Sequence, residues 1–310
     1  MHEYPVYLNN QKMDNRSKTD EDGIISLPVQ KVKGVHTSAH QDLLVVEEPL
    51  EIRLGFYSEG KRKNKSISVT MRTPGQDLEL AAGFLFSEGI INGFDCIENI
   101  RHLDSNGGRG RQSNVVHVEL VPNVGIDFNR LERHFYTTSG CGVCGKTSIQ
   151  ALQLIGRPVL PDDSPILKSE TIHMLPEALL NAQTVFGRTG GLHAAALFDR
   201  SGKLMALRED VGRHNAVDKV IGAKLFEKRI PLVDQLLLVS GRAGFEIVQK
   251  ALMAGIPVLA AVGAPSSLAV ELASNLNMTL LGFVRDNRFN IYSGAWRIKI
   301  DGAGYRMQDK

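Results

Sequence analysis

Two cysteines in C-x-x-C spacing, Cys141 and Cys144, stand in the stretch TTSGCGVCGKTS, Thr137 to Ser148. Several chemistries use such letters. The stretch reads as a Walker A loop, with Gly140, four residues, then Gly145-Lys146-Thr147. A Walker loop follows a buried strand and opens a helix, so that backbone N–H groups converge on phosphate. Here the upstream segment carries Arg133, His134 and Tyr136 and reads as an amphipathic helix, and LLLVSG downstream lacks a magnesium-holding Asp. Structural zinc takes about four ligands. Only two thiols sit here, Cys96 lies in another element, and neither His134 nor His173 has a partner at ligand spacing. A dithiol redox couple belongs at a helix start after the first strand of a βαβ unit; this one lies mid-chain. Buried, inert cysteines fit poorly, because S-G-C-G-V-C-G-K-T is loop-forming. A nucleophilic thiolate remains. Gly140, Gly142 and Gly145 remove side chains around both sulfurs. Lys146 and a following helix N-terminus raise the thiolate fraction. Such a thiolate accepts sulfane sulfur and hands it on as a persulfide.

A second set of residues suits anions. Arg285 and Arg288 follow the apolar run TLLGFV, which puts them at the carboxyl end of a predicted strand. Open α/β sheets place ligands at that end. Guanidinium matches phosphate bidentately and stays charged, and each desolvated contact contributes about 1.5–3 kcal/mol. Phe283 and Phe289 offer a stacking face. The alternative is a surface salt-bridge cluster of Arg285, Asp286 and Arg288. REDVGRHN gathers Arg208, Glu209, Asp210, Arg213 and His214 before a predicted helix, and SGRAGFE puts Arg242 in the same topological position. These are either internal ion pairs and caps, or a pocket wall in which Arg213, His214 and Arg242 meet an anion. His193, after Gly190-Gly191 at a strand start, reads as a satisfied core histidine.

The elements that must hold these residues fall into two halves. Residues 1–38 read as a charged tail without sustained periodicity. Strands follow in HQDLLVVEEPLEIRLGFY and KSISVTMRTP. QDLELAAGFLFSEGI is a helix, with Leu78, Ala81, Ala82, Leu85 and Phe86 at helical spacing, and packs a core. DSNGGRGRQSN reads as an exposed glycine-rich loop. From about residue 185, GGLHAAALFDRSGKLMALRED gives two strands around the turn Asp199-Arg200-Ser201-Gly202. HNAVDKVIGAKLFEKR, AGFEIVQKALMAG and PSSLAVELASNLN give helices, alternating with strands QLLLVSG, PVLAAVG and TLLGFV. That rhythm predicts a largely parallel, helix-covered sheet. The expected units are a smaller N-terminal α+β domain over 39–137, a mobile cysteine loop over 138–148, and an α/β domain over 149–310.

Composition removes whole classes of function. With 310 residues, 43% hydrophobic and 23% charged, the chain has room for one large domain or two ordinary ones. A net charge of only +2 gives no global field for nucleic acid. The longest apolar run, IPVLAAVGA, is far too short to span a bilayer. Three cysteines make no paired disulfide framework, and the polar N-terminus lacks signal-peptide features. The expected location is the cytoplasm.

Six ordered stretches carry a resemblance: EEPLEIRL, MRTPGQDLELAAGFLFSEGII, SGCGVCGK, GGLHAAALF, REDVGRHNAVDKVIG and GFVRDNRFNIYSG. Running from about residue 46 to 294, they resemble the formate dehydrogenase accessory sulfurtransferase family (FdhD). The resemblance implies a sulfur carrier that takes sulfur from a cysteine desulfurase. It delivers that sulfur to the bis-molybdopterin guanine dinucleotide cofactor, holding molybdenum or tungsten, before formate dehydrogenase receives it. It also implies that Cys141 carries the persulfide and that Cys144 assists. The nucleotide contact falls on Phe283, Val284, Arg285, Asp286, Asn287 and Arg288. A cofactor with two nucleotides suits a homodimer.

The family is similar in fold to the cytidine deaminases, which implies an α/β/α sheet. In a deaminase, H-A-E opens one helix and P-C-x-x-C another. His214 falls at the first site, but Asn215-Ala216 follow it, and SGRAGFE replaces the two-cysteine signature. The zinc ligands are lacking, so neither zinc nor deamination is expected. The rival functions are a non-catalytic cofactor chaperone for the dehydrogenase and a dithiol oxidoreductase.

Overall fold

The computed structural model describes residues 23–103, 114–122, 124–126 and 158–300. The chain opens with a ribbon. β1 (Ile24–Lys33) pairs antiparallel with β2 (His36–Val45), from Ile24↔Val45 to Lys33↔His36. The expectation of a tail through residue 38 is corrected from residue 24 onward. Most of the ribbon is exposed, so no buried face imposes the alternation that reveals a strand; backbone pairing alone shapes it.

β3 (Glu48–Ser58) and β4 (Lys61–Arg72) form the next hairpin, turning on Glu59 and Gly60 at φ 53° and 72°. Two positive φ values in a row are what a two-residue hairpin turn needs. α1 (Asp77–Ser87), β5 (Ile97–His102) and β6 (Val115–Leu120) follow. The sheet order is β4-β3-β6-β5, with β3 and β6 parallel. Along β3, Leu50, Ile52, Leu54 and Phe56 are buried while alternate residues face outward.

The larger half contains β7 (Leu167–Lys168), α2 (Ser169–Ala182), α3 (Thr184–Thr189), β8 (His193–Asp199) and β9 (Leu204–Asp210). α4 (Arg213–Phe226), β10 (Gln235–Val239), α5 (Phe245–Met253), β11 (Val258–Ala261) and α6 (Ser267–Asn275) continue it. β12 (Thr279–Arg285), β13 (Arg288–Ser293) and β14 (Ile298–Lys299) close it. The main sheet runs β13-β12-β11-β10-β8-β9. Only β10, β11 and β12 are mutually parallel; β8, β9 and β13 join antiparallel. The largely parallel sheet expected above is therefore a mixed one. The links between β8 and β9 and between β12 and β13 are too short for a crossover, which needs a dozen or more residues.

Both faces of this sheet are covered. Ala195, Leu197, Leu237, Val239, Leu259 and Leu280 meet one core with α4, α5 and α6. Ala194, Ala196, Phe198, Leu236, Leu238 and Leu281 meet the other with α2. The first core runs on into the smaller sheet through α1, so the two halves share it. α1 and α4 cross in backbone contact. A Cβ on Gly83 would overlap the Asp218 carbonyl, and one on Gly222 would overlap the Glu79 carbonyl. The 138–148 loop and the limits expected around it lie outside the described residues. Among the described residues no helix is long and apolar enough to cross a membrane.

Candidate functional site

One edge of the main sheet collects the polar residues that the sequence scatters. Because β8 is antiparallel to β10, its first residue, His193, lies at the carboxyl end of β10, opposite Asp210 at the end of β9. The loops leaving β10 and β11 and the end of β12 are stitched together along this edge. Gly263 N donates to Gly241 O at 3.0 Å, and Phe283 N donates to Gly263 O at 3.0 Å. α4, α5 and α6 all begin here. Gly212 and Gly244 cap the first two without a side-chain bond, while Ser266 Oγ accepts from Ala269 N at 3.3 Å in the third. The free N–H groups of an uncapped helix start favour negative charge.

The REDVGRHN segment divides sharply. Arg208 binds Glu79 of α1 through two contacts of 2.5 and 2.7 Å, and this pairing holds its guanidinium above the ordinary range. Glu209 accepts from Val185 N at 3.1 Å and Phe186 N at 2.9 Å, capping α3. Asp210, fully buried, pairs with Lys219 Nζ at 2.7 Å and accepts from Gly212 N at 2.8 Å. These three are structural. Arg213 is different: its Nε is shielded from solvent and has no described acceptor. Arg242 is exposed, and no carboxylate among the described residues approaches it.

His214 sits in the first turn of α4, with Nε2 3.0 Å from Glu246 Oε2 in the first turn of α5. Burial, then the charges of Arg213 and Lys250, push it down to about 4. Beneath it, Lys250 Nζ bridges Asp218 at 3.0 Å and Glu88 at 3.1 Å. Burial pushes Asp218 up to about 6 against that opposing charge.

The β12–β13 hairpin projects from the same edge. Arg285 pairs with Arg288 across a turn whose central residues, Asp286 and Asn287, hold φ of 53° and 54°. All four are exposed, and their single ion pair among the described residues, Arg285 Nε to Asp286 Oδ2, is loose at 3.9 Å. Two expected contacts need correction. Val284 is fully buried in the α2-side core, so its side chain meets no ligand. Phe289 turns to the same side, its ring centroid 5.2 Å from that of His173, and is not part of a stacking face. Its burial follows from strand alternation, which sends it with Ile291 to the core face. Phe283 stays at the edge, half-buried, with φ 56° at a bulge. A left-handed aromatic residue costs about 1–2 kcal/mol, and that strain marks the position.

The sequence profile of the FdhD/NarQ family matches residues 45–299. The chain belongs to the FdhD/NarQ family. A relative named sulfur carrier protein FdhD, from Streptomyces avermitilis, is 50% identical over 277 residues, 89% of this chain and 95% of its own. One of the same name from Sulfolobus acidocaldarius is 43% identical over 277 residues, 89% of this chain and 99% of its own. A solved structure from Desulfotalea psychrophila, described as a formate dehydrogenase accessory protein, superposes with TM-score 0.66. It is 24% identical and covers 89% of this chain and 99% of its own, and shows the fold.

In this FdhD/NarQ chain the edge thus brings together Arg213, His214, Arg242, Phe283, Arg285, Asp286, Asn287 and Arg288. Cys141 and Cys144 lie outside the described residues. Sequence reasoning missed His193. The structure places it beside Arg213 and Gly241 at the edge, with no hydrogen bond from its ring to any described residue. The GGLHAA letters hold no signal of that, since only the antiparallel placement of β8 brings its first residue to the carboxyl edge.

Proposed function

We propose that this chain is a sulfur carrier that loads sulfur onto Cys141 and delivers it to a guanine-dinucleotide form of the molybdenum or tungsten pterin cofactor, destined for formate dehydrogenase. The observation that carries the reading is family membership over residues 45–299, with relatives named sulfur carrier protein FdhD. The edge supports it. Arg213, Arg242 and Arg288 present guanidiniums without carboxylate partners among the described residues, which suits a ligand with several phosphates.

In loading, the Cys141 thiolate attacks the terminal sulfur of a cysteine desulfurase persulfide. The donor S–S bond breaks, a new S–S bond forms on Cys141, and the donor sulfur leaves as thiolate. In delivery, the sulfane sulfur passes to the cofactor's metal, which supplies the two electrons that make it a sulfido ligand, and Cys141 leaves as thiolate. Lys146 favours the thiolate by its charge, and Cys144 is the assisting thiol. The protein's own contribution is positioning. Arg285 and Arg288 hold the nucleotide, while Arg213 and Arg242 neutralise the pyrophosphate. The His214–Glu246 pair spans the starts of α4 and α5 where a deaminase would hold zinc, in keeping with a deaminase-like scaffold put to another use.

The test is intact-protein mass after incubation with a cysteine desulfurase and cysteine. A gain of one sulfur, reversed by reductant and absent in Cys141→Ala but present in Cys144→Ala, is the expected result. A wild type that gains no sulfur yet binds guanine nucleotide would instead be a chaperone for the cofactor. Equal dependence on both cysteines, with no nucleotide binding, would make it a dithiol oxidoreductase.

A further inference from the structure

His193 and Phe283 mark two ends of the site. From β12 through β11 and β10 to β8 there are three strand spacings, about 14 Å in all. The path between them is continuous backbone, from Phe283 N to Gly263 O and from Gly263 N to Gly241 O. It ends on His193: a Cβ placed on Gly241 would lie 3.4 Å from His193 Nδ1 and 3.7 Å from Arg213 Cδ. Glycine at 263 lets these chains approach closely, since a Cβ there would lie 3.0 Å from the Gly241 carbonyl and 3.1 Å from Arg242 Cγ. A nucleoside diphosphate anchored at the hairpin brings its phosphates to the middle of the edge, beside Arg242. Whatever is attached beyond the pyrophosphate then reaches His193.

We propose that His193, flanked by Arg213, contacts the part of the ligand beyond the pyrophosphate: an uncharged heteroaromatic ring with a lactam edge, such as a pterin. This rests on the reading above that the ligand is a pterin guanine dinucleotide. The His193 ring is half-buried and hydrogen-bonds to no described residue. Burial, and then the charge of Arg213, hold it below its ordinary value, so it stays neutral near pH 7. A neutral imidazole offers one donor and one acceptor, the complement of a lactam's C=O and N–H. A protonated imidazole would offer two donors and no acceptor for the lactam N–H. Arg213 adds a donor on the same side. Its Nε lacks an acceptor, and a ligand oxygen would supply one.

Two probes separate the ends of the site: GDP, and the stable oxidised fluorescent form of molybdopterin guanine dinucleotide. Both are titrated into the full chain. We expect His193→Ala to weaken the dinucleotide about tenfold, the scale of one lost hydrogen bond pair, and GDP less than about twofold. His193→Gln, which keeps a donor and an acceptor, should hold the dinucleotide within about threefold of wild type. Arg285→Ala should weaken both probes alike, because both carry guanine. If His193→Ala does not fold, His193→Leu carries the same comparison. Equal loss of both probes, or loss of neither, overturns the assignment of His193. Failure of GDP to bind, or indifference of GDP to Arg285→Ala, overturns the guanine reading instead. A loss confined to the dinucleotide in the His193 variants would survive that second outcome, and binding of neither probe by wild type would end both.

Discussion

Replacing Lys219 by Met removes one charge from the deepest ion pair under the candidate site. Lys219 and Asp210 are both fully buried. The ammonium lies 2.7 Å from Asp210 Oδ2 and donates to the Thr73 carbonyl at 3.0 Å. Asp210 also accepts from Gly212 N at 2.8 Å, Asn215 Nδ2 at 3.0 Å and Thr73 N at 3.2 Å. The pair therefore ties the start of α4 to the end of β9 and to the loop before α1. Breaking a buried pair by removing one partner costs about 3–5 kcal/mol. Three N–H donors remain on the carboxylate, so we expect the lower end, about 3 kcal/mol. That is a large share of the roughly 5–15 kcal/mol of a typical domain. The double variant Asp210→Asn/Lys219→Met removes both charges and should cost clearly less than the sum of the two single variants, with a residual cost from the Asn amide facing the Thr73 N–H. Urea unfolding followed by circular dichroism measures all variants, and GDP titration reports whether Arg213 keeps its place. A cost under about 1 kcal/mol for Lys219→Met, or a double variant costing the sum of the singles, would show the pair is uncoupled and refute the reasoning.

Two further outcomes follow from the same packing. Gly222→Ala should destabilise by about 1–3 kcal/mol or more, because the new methyl overlaps the Glu79 carbonyl and forces α1 and α4 apart; an unchanged urea midpoint would mean the helices do not touch there. His214 titrates near 6.5 when unfolded and near 4 when folded, so its neutral form is the one folding favours. That contribution is fully present above pH 6.5 and is lost as pH falls from 6.5 towards 4. The side chain keeps 33% of its surface and faces Glu246, so we discount the effect to about 1–2 kcal/mol. His214→Asn should flatten the fall in unfolding free energy between pH 7.5 and 4.5 by that amount, read from urea titrations; a wild type that gains stability over this range would show that Glu246 dominates the ring.

How far the letters carry the argument differs by element, and the reasons are physical. α1 and the strands β8 to β12 are legible because apolar spacing records which side chains leave water. α4 is legible as a helix through Val217, Val220, Ile221 and Leu225, but not its burial. Asp218, Lys219 and Lys224 carry charge, yet all three are buried, neutralised by residues from β9, α5 and the C-cap of α4. A charge on a helix wheel says nothing about a partner that sits 32 positions away, as Lys250 does from Asp218. The same limit hides the role of Gly83 and Gly222. Each looks like a tolerated glycine until the crossing of the two helices makes any Cβ collide.

The site itself shows the limit most clearly. Arg285 and Arg288 were legible because they directly end an apolar run, so their place at a strand terminus is a local property. The ribbon β1–β2 and the antiparallel placement of β8 were not, because neither depends on a locally buried pattern. His193 has the letters of a core histidine and the position of a ligand contact, and what separates the two is a strand direction set by β8 pairing with β10 and β9. β8, β9, β10 and β12, with the loops that leave them, each bring polar residues to a single edge. No segment alone carries the signature of that edge, since the contacts are made by topology. A cofactor long enough to cross several strands would read the assembled edge, and each segment would supply only one part of it.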